Sequence, residues 1–273
     1  MRGVTDPPLP RPALALAGVG LRREGRTILD GIDWTVRPGE HWVLVGPNGS
    51  GKTTLLRIAS LWLHPSTGTV DVLGERLGAT DVRPLRARIG VASAALADRL
   101  RPDLTVGDVV LTARRGALEP WWHTYDDTDR AAAAHALDLL GIAHLAARPF
   151  ATLSSGERMR AQLARTLVTE PELLLLDEPA AGLDLGGRED LVARLDRLVA
   201  RPDAPPTVLV THHVEEIPVG ATHGLVLRDG RVVASGPIAD ALTPDTLSAA
   251  FGLAVAVDRQ AGRWHARAVG PVA

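Results

Sequence analysis

The stretch GPNGSGKTT, residues 46–54, contains the only lysine of the chain, whereas the other 29 of the 30 basic residues are arginine. Its spacing fits G-x-x-x-x-G-K-[ST], in which glycines let backbone N–H groups converge on phosphate oxygens ahead of a helix. A compact ammonium reaches phosphates inside such a tight loop, which the broad guanidinium of arginine does not. Lys52 is therefore predicted to bind phosphate, and Thr53 to place its hydroxyl on Mg²⁺.

Two adjacent carboxylates, Asp177 and Glu178, follow the apolar run LLLL and form the second candidate group. A carboxylate at the carboxyl end of a buried parallel strand lies where open α/β sheets bind ligands. Asp177 is predicted to hold Mg²⁺ through water, and Glu178 to orient or deprotonate the attacking water. The alternative is an acidic strand end that only faces solvent, which is the weaker interpretation when a phosphate loop lies upstream.

The apolar pattern predicts the elements that position these groups. HWVLV (residues 41–45), LLLL (173–176) and TVLV (207–210) indicate buried strands. Helical spacing is predicted over residues 53–63, 129–140, 154–168 and 185–200. Buried strands that alternate with helices indicate an α/β fold with a mainly parallel sheet. Short strands in residues 13–45 and a hairpin over 225–236, turning at Asp229-Gly230, add antiparallel structure.

Composition limits the possible functions. The 273 residues carry a net charge of −2, so no basic surface for nucleic acid is indicated, and the lack of cysteine excludes disulfide and thiolate chemistry. The N-terminus lacks the apolar region of a signal peptide, and no run of about 18 apolar residues occurs. A cytoplasmic location is the resulting expectation.

Further motifs give the chain a family resemblance. LSSGE (residues 153–157) precedes the acidic strand by about 20 residues, AAGLD (180–184) follows it, and His212 comes directly after the strand TVLVT. In this order, over roughly residues 13–240, the motifs resemble those of ABC-type ATPases, a class of P-loop NTPase with an antiparallel β subdomain and a helical subdomain. Ser154 and Glu157 also fit a helix capping box, and both interpretations can hold.

The resemblance implies an ATP site that is divided between two chains. On one chain, the resemblance assigns ATP binding to Gly46, Pro47, Asn48, Gly49, Ser50, Gly51, Lys52, Thr53 and Thr54. The signature of a second copy, Ser154, Ser155, Gly156 and Glu157, would close over the γ-phosphate. Asp184 would lie in the D-loop, and His212, with His213 as competitor, would contact the γ-phosphate. ATP, Mg²⁺ and a homodimer are thus implied.

Three departures from the family pattern are visible. Ala94 occupies the position of a glutamine that normally touches Mg²⁺, and either the Ser93 hydroxyl or water is left to replace it. Arg23 stands where an aromatic residue usually stacks on adenine; a guanidinium can stack there, or can be a surface residue. The signature is LSSGE rather than the commoner LSGGQ.

The function implied by the resemblance is that of an ATPase subunit that drives a separately encoded membrane permease from the inner face of the membrane. The alternatives are a soluble ATPase acting on ribosomes or nucleic acid, and an ATP-binding regulator with little turnover. The expected domain organisation is a flexible N-terminal segment over residues 1–12, an ATPase domain over 13–240 and a C-terminal extension over 241–273. A helical subdomain is expected to be inserted in the ATPase domain at about residues 98–160. Trp121 and Trp122 would either dock a partner or pack in the core.

Overall fold

The computed structural model describes residues 11–93, 100–120 and 123–269. Ala94, Trp121 and Trp122 lie outside these ranges, so the expectations attached to them stay predictions. The described chain has the predicted α/β fold, with a mainly parallel sheet, a separate antiparallel sheet and a group of helices.

The central sheet has six strands in the order β10-β9-β3-β8-β7-β6. The five strands from β9 to β6 are parallel, and β10 pairs antiparallel with β9 at one edge. The strands of the central sheet are β3 (His41–Val45), β6 (Ile89–Ser93), β7 (Leu173–Asp177), β8 (Thr207–Thr211), β9 (His223–Arg228) and β10 (Arg231–Pro237). The buried strands and the hairpin turn at Asp229-Gly230 confirm the sequence predictions.

An antiparallel sheet of order β2-β1-β4-β5 covers one side of the phosphate loop. Its strands are β1 (Leu14–Arg23), β2 (Arg26–Val36), β4 (Thr67–Val72) and β5 (Glu75–Arg76). Gly230, in the hairpin turn of the central sheet, joins the two sheets at the loop: its N–H donates to Ser50 O (3.1 Å), and its carbonyl accepts from Asp30 N–H (2.9 Å). A third sheet pairs β11 (Val255–Gln260) with β12 (Arg263–Ala268).

The helices pack on both faces of the central sheet. They are α1 (Lys52–Ala59), α2 (Val82–Ala87), α3 (Val106–Leu111), α4 (Asp127–Leu139), α5 (Ser155–Leu167), α6 (Leu185–Val199), α7 (Ile238–Ala241) and α8 (Pro244–Phe251). Short 3₁₀ turns span Thr112–Arg115, Ala143–Leu145, Phe150–Thr152 and Val214–Glu216. Within the described ranges, no helix combines the length and the apolar character needed to cross a bilayer.

The first helix is shorter than the sequence predicts. The helical spacing of residues 53–63 continues past Ala59, yet α1 ends there. Leu61 adopts a left-handed backbone with φ of 65°, and its N–H bonds to Ile58 O three residues back. Leu61 is fully buried and therefore reaches the core from a turn, whereas Trp62 is exposed; the spacing alone does not distinguish such a turn from a helix.

Candidate nucleotide site

The phosphate loop, residues 46–54, connects the carboxyl end of β3 to the first turn of α1 and is tightly enclosed. A Cβ added at Gly46 would lie 2.2 Å from Leu227 O, and one at Gly51 would lie 2.7 Å from Leu29 Cδ2. Gly51 also has a left-handed φ of 101° as the cap of α1. Side chains are therefore excluded at both positions, which keeps the backbone N–H groups accessible.

Lys52 lies inside the loop and is only 5% exposed. Its Nζ donates to Gly46 O (2.8 Å) and Pro47 O (3.0 Å), which occupies two of the three ammonium donors. Burial lowers the pKa of Lys52, and the charges of Glu178 and Asp177 oppose that shift. The ammonium is thus held at the center of the loop, facing two carboxylates.

Thr53 and Asp177 meet where α1 begins and β7 ends. The Thr53 hydroxyl donates to Asp177 Oδ1 at 3.2 Å. Burial raises the pKa of Asp177, the Thr53 hydrogen bond and Lys52 lower it, and Glu178 adds to the rise. The predicted metal ligands are therefore adjacent, and a hydroxyl and a carboxylate are the oxygen donors that Mg²⁺ prefers. Ser93 pairs with Asp177 across β6 and β7, which places it at the same edge of the sheet.

Glu178 and His212 face each other beyond the strand ends. Glu178 has a left-handed φ of 47°, and its N–H donates to Val210 O (3.0 Å) in β8. Its Oε1 lies 3.4 Å from His212 Nδ1. The ring of His213 packs behind that of His212, with centroids 4.1 Å apart. The structure therefore places His212 beside Glu178, and its role as the site histidine stays a prediction.

The signature segment, residues 153–157, starts α5. Ser154 Oγ accepts from Glu157 N–H (3.3 Å), and the Glu157 carboxylate accepts from Ser154 N–H (2.8 Å), so the predicted capping box is present. The bond from the Ser154 N–H holds the pKa of Glu157 below its ordinary value. Ser154 and Ser155 are exposed to solvent. Among the described residues, no hydrogen bond or ion pair joins this segment to residues 46–54.

Asp184 caps α6 beside the signature segment. Its Oδ1 accepts from Gly187 N–H at 2.7 Å. A Cβ at Gly156 would lie 3.9 Å from Leu183 Cδ2 and 4.0 Å from Gly187 Cα, so the two helix starts are neighbours. Asp184 therefore groups with the signature rather than with the phosphate loop.

Arg23 is exposed at the end of β1, where it pairs with Arg26 of β2. Two residues further along β2, the Ile28 carbonyl lies 3.2 Å from the position of a Cβ at Gly51. The hairpin end that carries Arg23 thus borders the phosphate loop. Its contact with a base stays a prediction.

Several functional neighbours were not found from the sequence. Thr211 Oγ1 hydrogen-bonds to the Glu216 carboxylate and accepts from His213 N–H (3.0 Å), which shapes the loop after His212. Arg263, far along the chain, contacts Glu189 and Glu215 near the same loop. No spacing in the sequence points to these pairs, because they join segments that only the folded chain brings together.

Comparisons of the sequence and of the structure with known proteins all find ABC transporter proteins. A sequence model of the ABC transporter family matches residues 29–181. The chain is 40% identical to the uncharacterized ABC transporter ATP-binding protein YlmA of Bacillus subtilis, over 87% of this chain and 90% of YlmA. It is 39% identical to the hemin import ATP-binding protein HmuV of Streptomyces coelicolor, over 94% and 90%. A solved chain of a proposed metal-chelate type ABC transporter, in an inward-facing conformation, superimposes with a TM-score of 0.74 at 25% identity, over 95% and 97%.

Proposed function

The chain belongs to the ABC transporter family as an ATP-binding subunit with ATPase activity, and we propose that it powers a separately encoded membrane importer through ATP-driven dimer closure. One observation carries the proposal: Lys52, the Thr53–Asp177 pair and the Glu178–His212 pair converge at the carboxyl edge of one parallel sheet.

ATP binds with its β- and γ-phosphates in the phosphate loop. The ammonium of Lys52 turns from its carbonyl partners toward the phosphates, and the N–H groups of residues 48–54 surround them. Thr53 would hold Mg²⁺ directly, and Asp177 would hold it through water. Within the described ranges, no cluster of three or more His, Cys, Asp or Glu side chains forms a metal cage. A site with one hydroxyl and one carboxylate from the protein suits Mg²⁺, which usually takes few protein ligands.

Hydrolysis depends on the pair of Glu178 and His212. Glu178 takes the proton of a water molecule aligned behind the γ-phosphate, and the oxygen of that water forms the new bond to phosphorus as the bond to ADP breaks. The neighbouring His212 donates to a γ-phosphate oxygen and keeps the water in line. When bound, Mg²⁺ supplies positive charge that stabilises the leaving oxygens.

The signature works on the ATP of a second copy. Within one chain it is separate from the phosphate loop, while Ser154 and Ser155 present the N-terminal end of α5 to solvent. Leu185, directly after Asp184, is 68% exposed at the same surface. Two copies in a two-fold, head-to-tail arrangement complete two sites, with Ser154, Ser155, Gly156 and Glu157 of each opposite the phosphate loop of the other.

The partner is a membrane permease on whose inner face the dimer sits. This part of the proposal rests on the named importers, of which the hemin relative is matched over nearly all of its length. The comparisons give no support to a role on ribosomes.

Cross-linking in cells, followed by purification of the tagged chain, tests the assignment. We expect an integral membrane protein to be recovered, and the recovery to persist in the Lys52→Ala variant, because docking does not require hydrolysis. Recovery of ribosomal proteins without any membrane protein would overturn the transporter assignment.

A further inference from the structure

We propose that Arg263, in the C-terminal hairpin, is a positioning residue that fixes the loop of His212 and the helix of Asp184 relative to each other. The inference rests on the proposed function, because it assigns a task to a residue that touches neither nucleotide nor metal. Three segments that are far apart in sequence meet at the Arg263 guanidinium.

The hairpin of β11 and β12 has a tight turn and a buried anchor in the core. Its two-residue turn, Ala261-Gly262, has positive φ at both positions (48° and 82°), the geometry of a tight hairpin turn. Trp264 is buried in the same apolar cluster as Val214 and Ile217, which follow His212 in the chain. The hairpin is thus packed onto the core from the side that carries His212.

Arg263 forms the first connection, to the helix of Asp184. Its Nη1 donates to Glu189 Oε2 at 2.9 Å and its Nη2 to Glu189 Oε1 at 3.5 Å. Glu189 lies in α6 one turn beyond the Asp184 cap. The Arg263 side chain is 24% exposed, and its hydrogen bond and charge keep the pKa of Glu189 below the ordinary value. A partly buried, bidentate pair of this kind restricts orientation more than an exposed ion pair does.

The second connection reaches the histidine loop, residues 211–217. The same Nη2 of Arg263 donates to the Glu215 carbonyl, and the Glu215 carboxylate accepts from Ala266 N–H (3.3 Å) of β12. Glu215 follows His212 by three residues, in the 3₁₀ turn Val214–Glu216. The hairpin therefore holds the histidine loop by both the backbone and the side chain of one residue.

The consequence is a fixed spacing between two groups that serve different ATP sites. His212 acts on the nucleotide of its own chain, whereas Asp184 lies at the surface that meets the second copy. A planar guanidinium can hold a carboxylate and a carbonyl at once, which lysine cannot do with the same geometry. A displacement of His212 by about 1 Å is enough to lower catalysis up to about a hundredfold.

The test compares Arg263→Gln with Arg259→Gln in the full-length protein. Arg259 lies in the same hairpin, where it donates to Gly262 O (2.9 Å) and covers the Trp264 ring. For Arg263→Gln we expect kcat to fall about tenfold, within the range of small positional errors. KM for ATP should stay within about twofold, since the phosphate loop is untouched. Arg259→Gln should retain wild-type kcat.

Glu189→Gln removes the ion pair with Arg263 by changing its partner in α6. This variant replaces Arg263→Gln in the test if Arg263→Gln does not fold. We expect it to lower kcat in the same direction, and the double variant to lose less than the product of the two single losses, because the residues act through one contact. Amide hydrogen exchange over residues 211–217 should accelerate in both single variants and not in Arg259→Gln.

Unchanged kcat in folded Glu189→Gln or Arg263→Gln would overturn the inference. So would an equal loss in Arg259→Gln, which would indicate general destabilisation. The same ATPase assay is run on the wild type and on His212→Ala, to separate failure of this inference from failure of the proposed function. If the wild type hydrolyses ATP and His212→Ala does not, the proposed function holds, and the result for Arg263 then tests only its role as a positioning residue.

Discussion

At the scale of single residues, the lone lysine of this arginine-rich chain is explained by the space around its ammonium. Lys52 Nζ sits between two carbonyl oxygens of its own loop at 2.8 and 3.0 Å. A guanidinium is planar and wider, so it cannot occupy the same position and still leave room for phosphate oxygens. The position therefore depends on the shape of the cation as well as on its charge.

Lys52→Arg is expected to weaken ATP binding at least about 30-fold, equal to about 2 kcal/mol, because the larger head group displaces the loop carbonyls. Calorimetric titration with ATP and Mg²⁺ measures the effect. The matched control is Arg57→Lys, an exchange in the opposite sense on the exposed face of the same helix. Equal affinity in wild type and Lys52→Arg would show that charge alone suffices.

At the scale of elements, the start of α5 combines two properties in one residue. Ser154 caps the helix through Glu157 and also presents the hydroxyl that the proposal directs at the γ-phosphate of a partner chain. Serine and aspartate are both good N-caps, whereas alanine is not. The two properties can therefore be separated by substitution.

Ser154→Ala is expected to lower the free energy of unfolding by about 0.5–2 kcal/mol through loss of the cap. Ser154→Asp should keep the stability but lose ATP hydrolysis by about a hundredfold or more, since a carboxylate replaces a donor to the transition state. Urea unfolding and a phosphate-release assay measure the two effects. If Ser154→Asp hydrolyses ATP normally, the signature does not face a phosphate.

The strand that leads into the phosphate loop carries a pH-sensitive residue. His41 is 8% exposed, and its burial lowers its pKa below the ordinary value of 6.5. A histidine with a lowered folded-state pKa stabilises the fold above its unfolded pKa, and this contribution is lost as the pH falls through the folded value.

We therefore expect the melting temperature to fall between about pH 7.5 and 5.5, and to fall less in His41→Gln. The exposed His144→Gln variant is the control and should follow the wild type. Thermal melts at both pH values decide the matter: identical pH dependence in wild type and His41→Gln would contradict a buried, neutral His41.

Much of this element structure was predictable from local pattern. The strands of residues 41–45, 173–177 and 207–211 and the cap at Ser154 follow from apolar runs and capping chemistry, which depend on neighbours in sequence. The end of α1 at Ala59 and the contacts of Arg263 did not follow. A left-handed Leu61 and a guanidinium bound to two distant glutamates depend on tertiary contacts, which spacing does not encode.

At the scale of the whole molecule, the two groups of residues that we propose to form one composite ATP site lie apart in the part of the chain that the structure describes. The phosphate loop, Asp177, Glu178 and His212 gather at one edge of the sheet, while Ser154 and Asp184 form a separate group. This separation is the basis for the proposed two-fold dimer with two composite ATP sites. ATP would stabilise the closed dimer because only that state contacts the γ-phosphate from both chains.

The molar mass of the Glu178→Gln variant with ATP and Mg²⁺ tests this claim most directly, measured by light scattering after gel filtration. Removal of the proposed base should block hydrolysis and leave binding intact, so we expect a dimer of twice 28.9 kDa that reverts to monomer with ADP. The additional substitution Ser154→Asp should abolish the dimer while ATP still binds. A Glu178→Gln protein that binds ATP and remains monomeric would contradict the composite site.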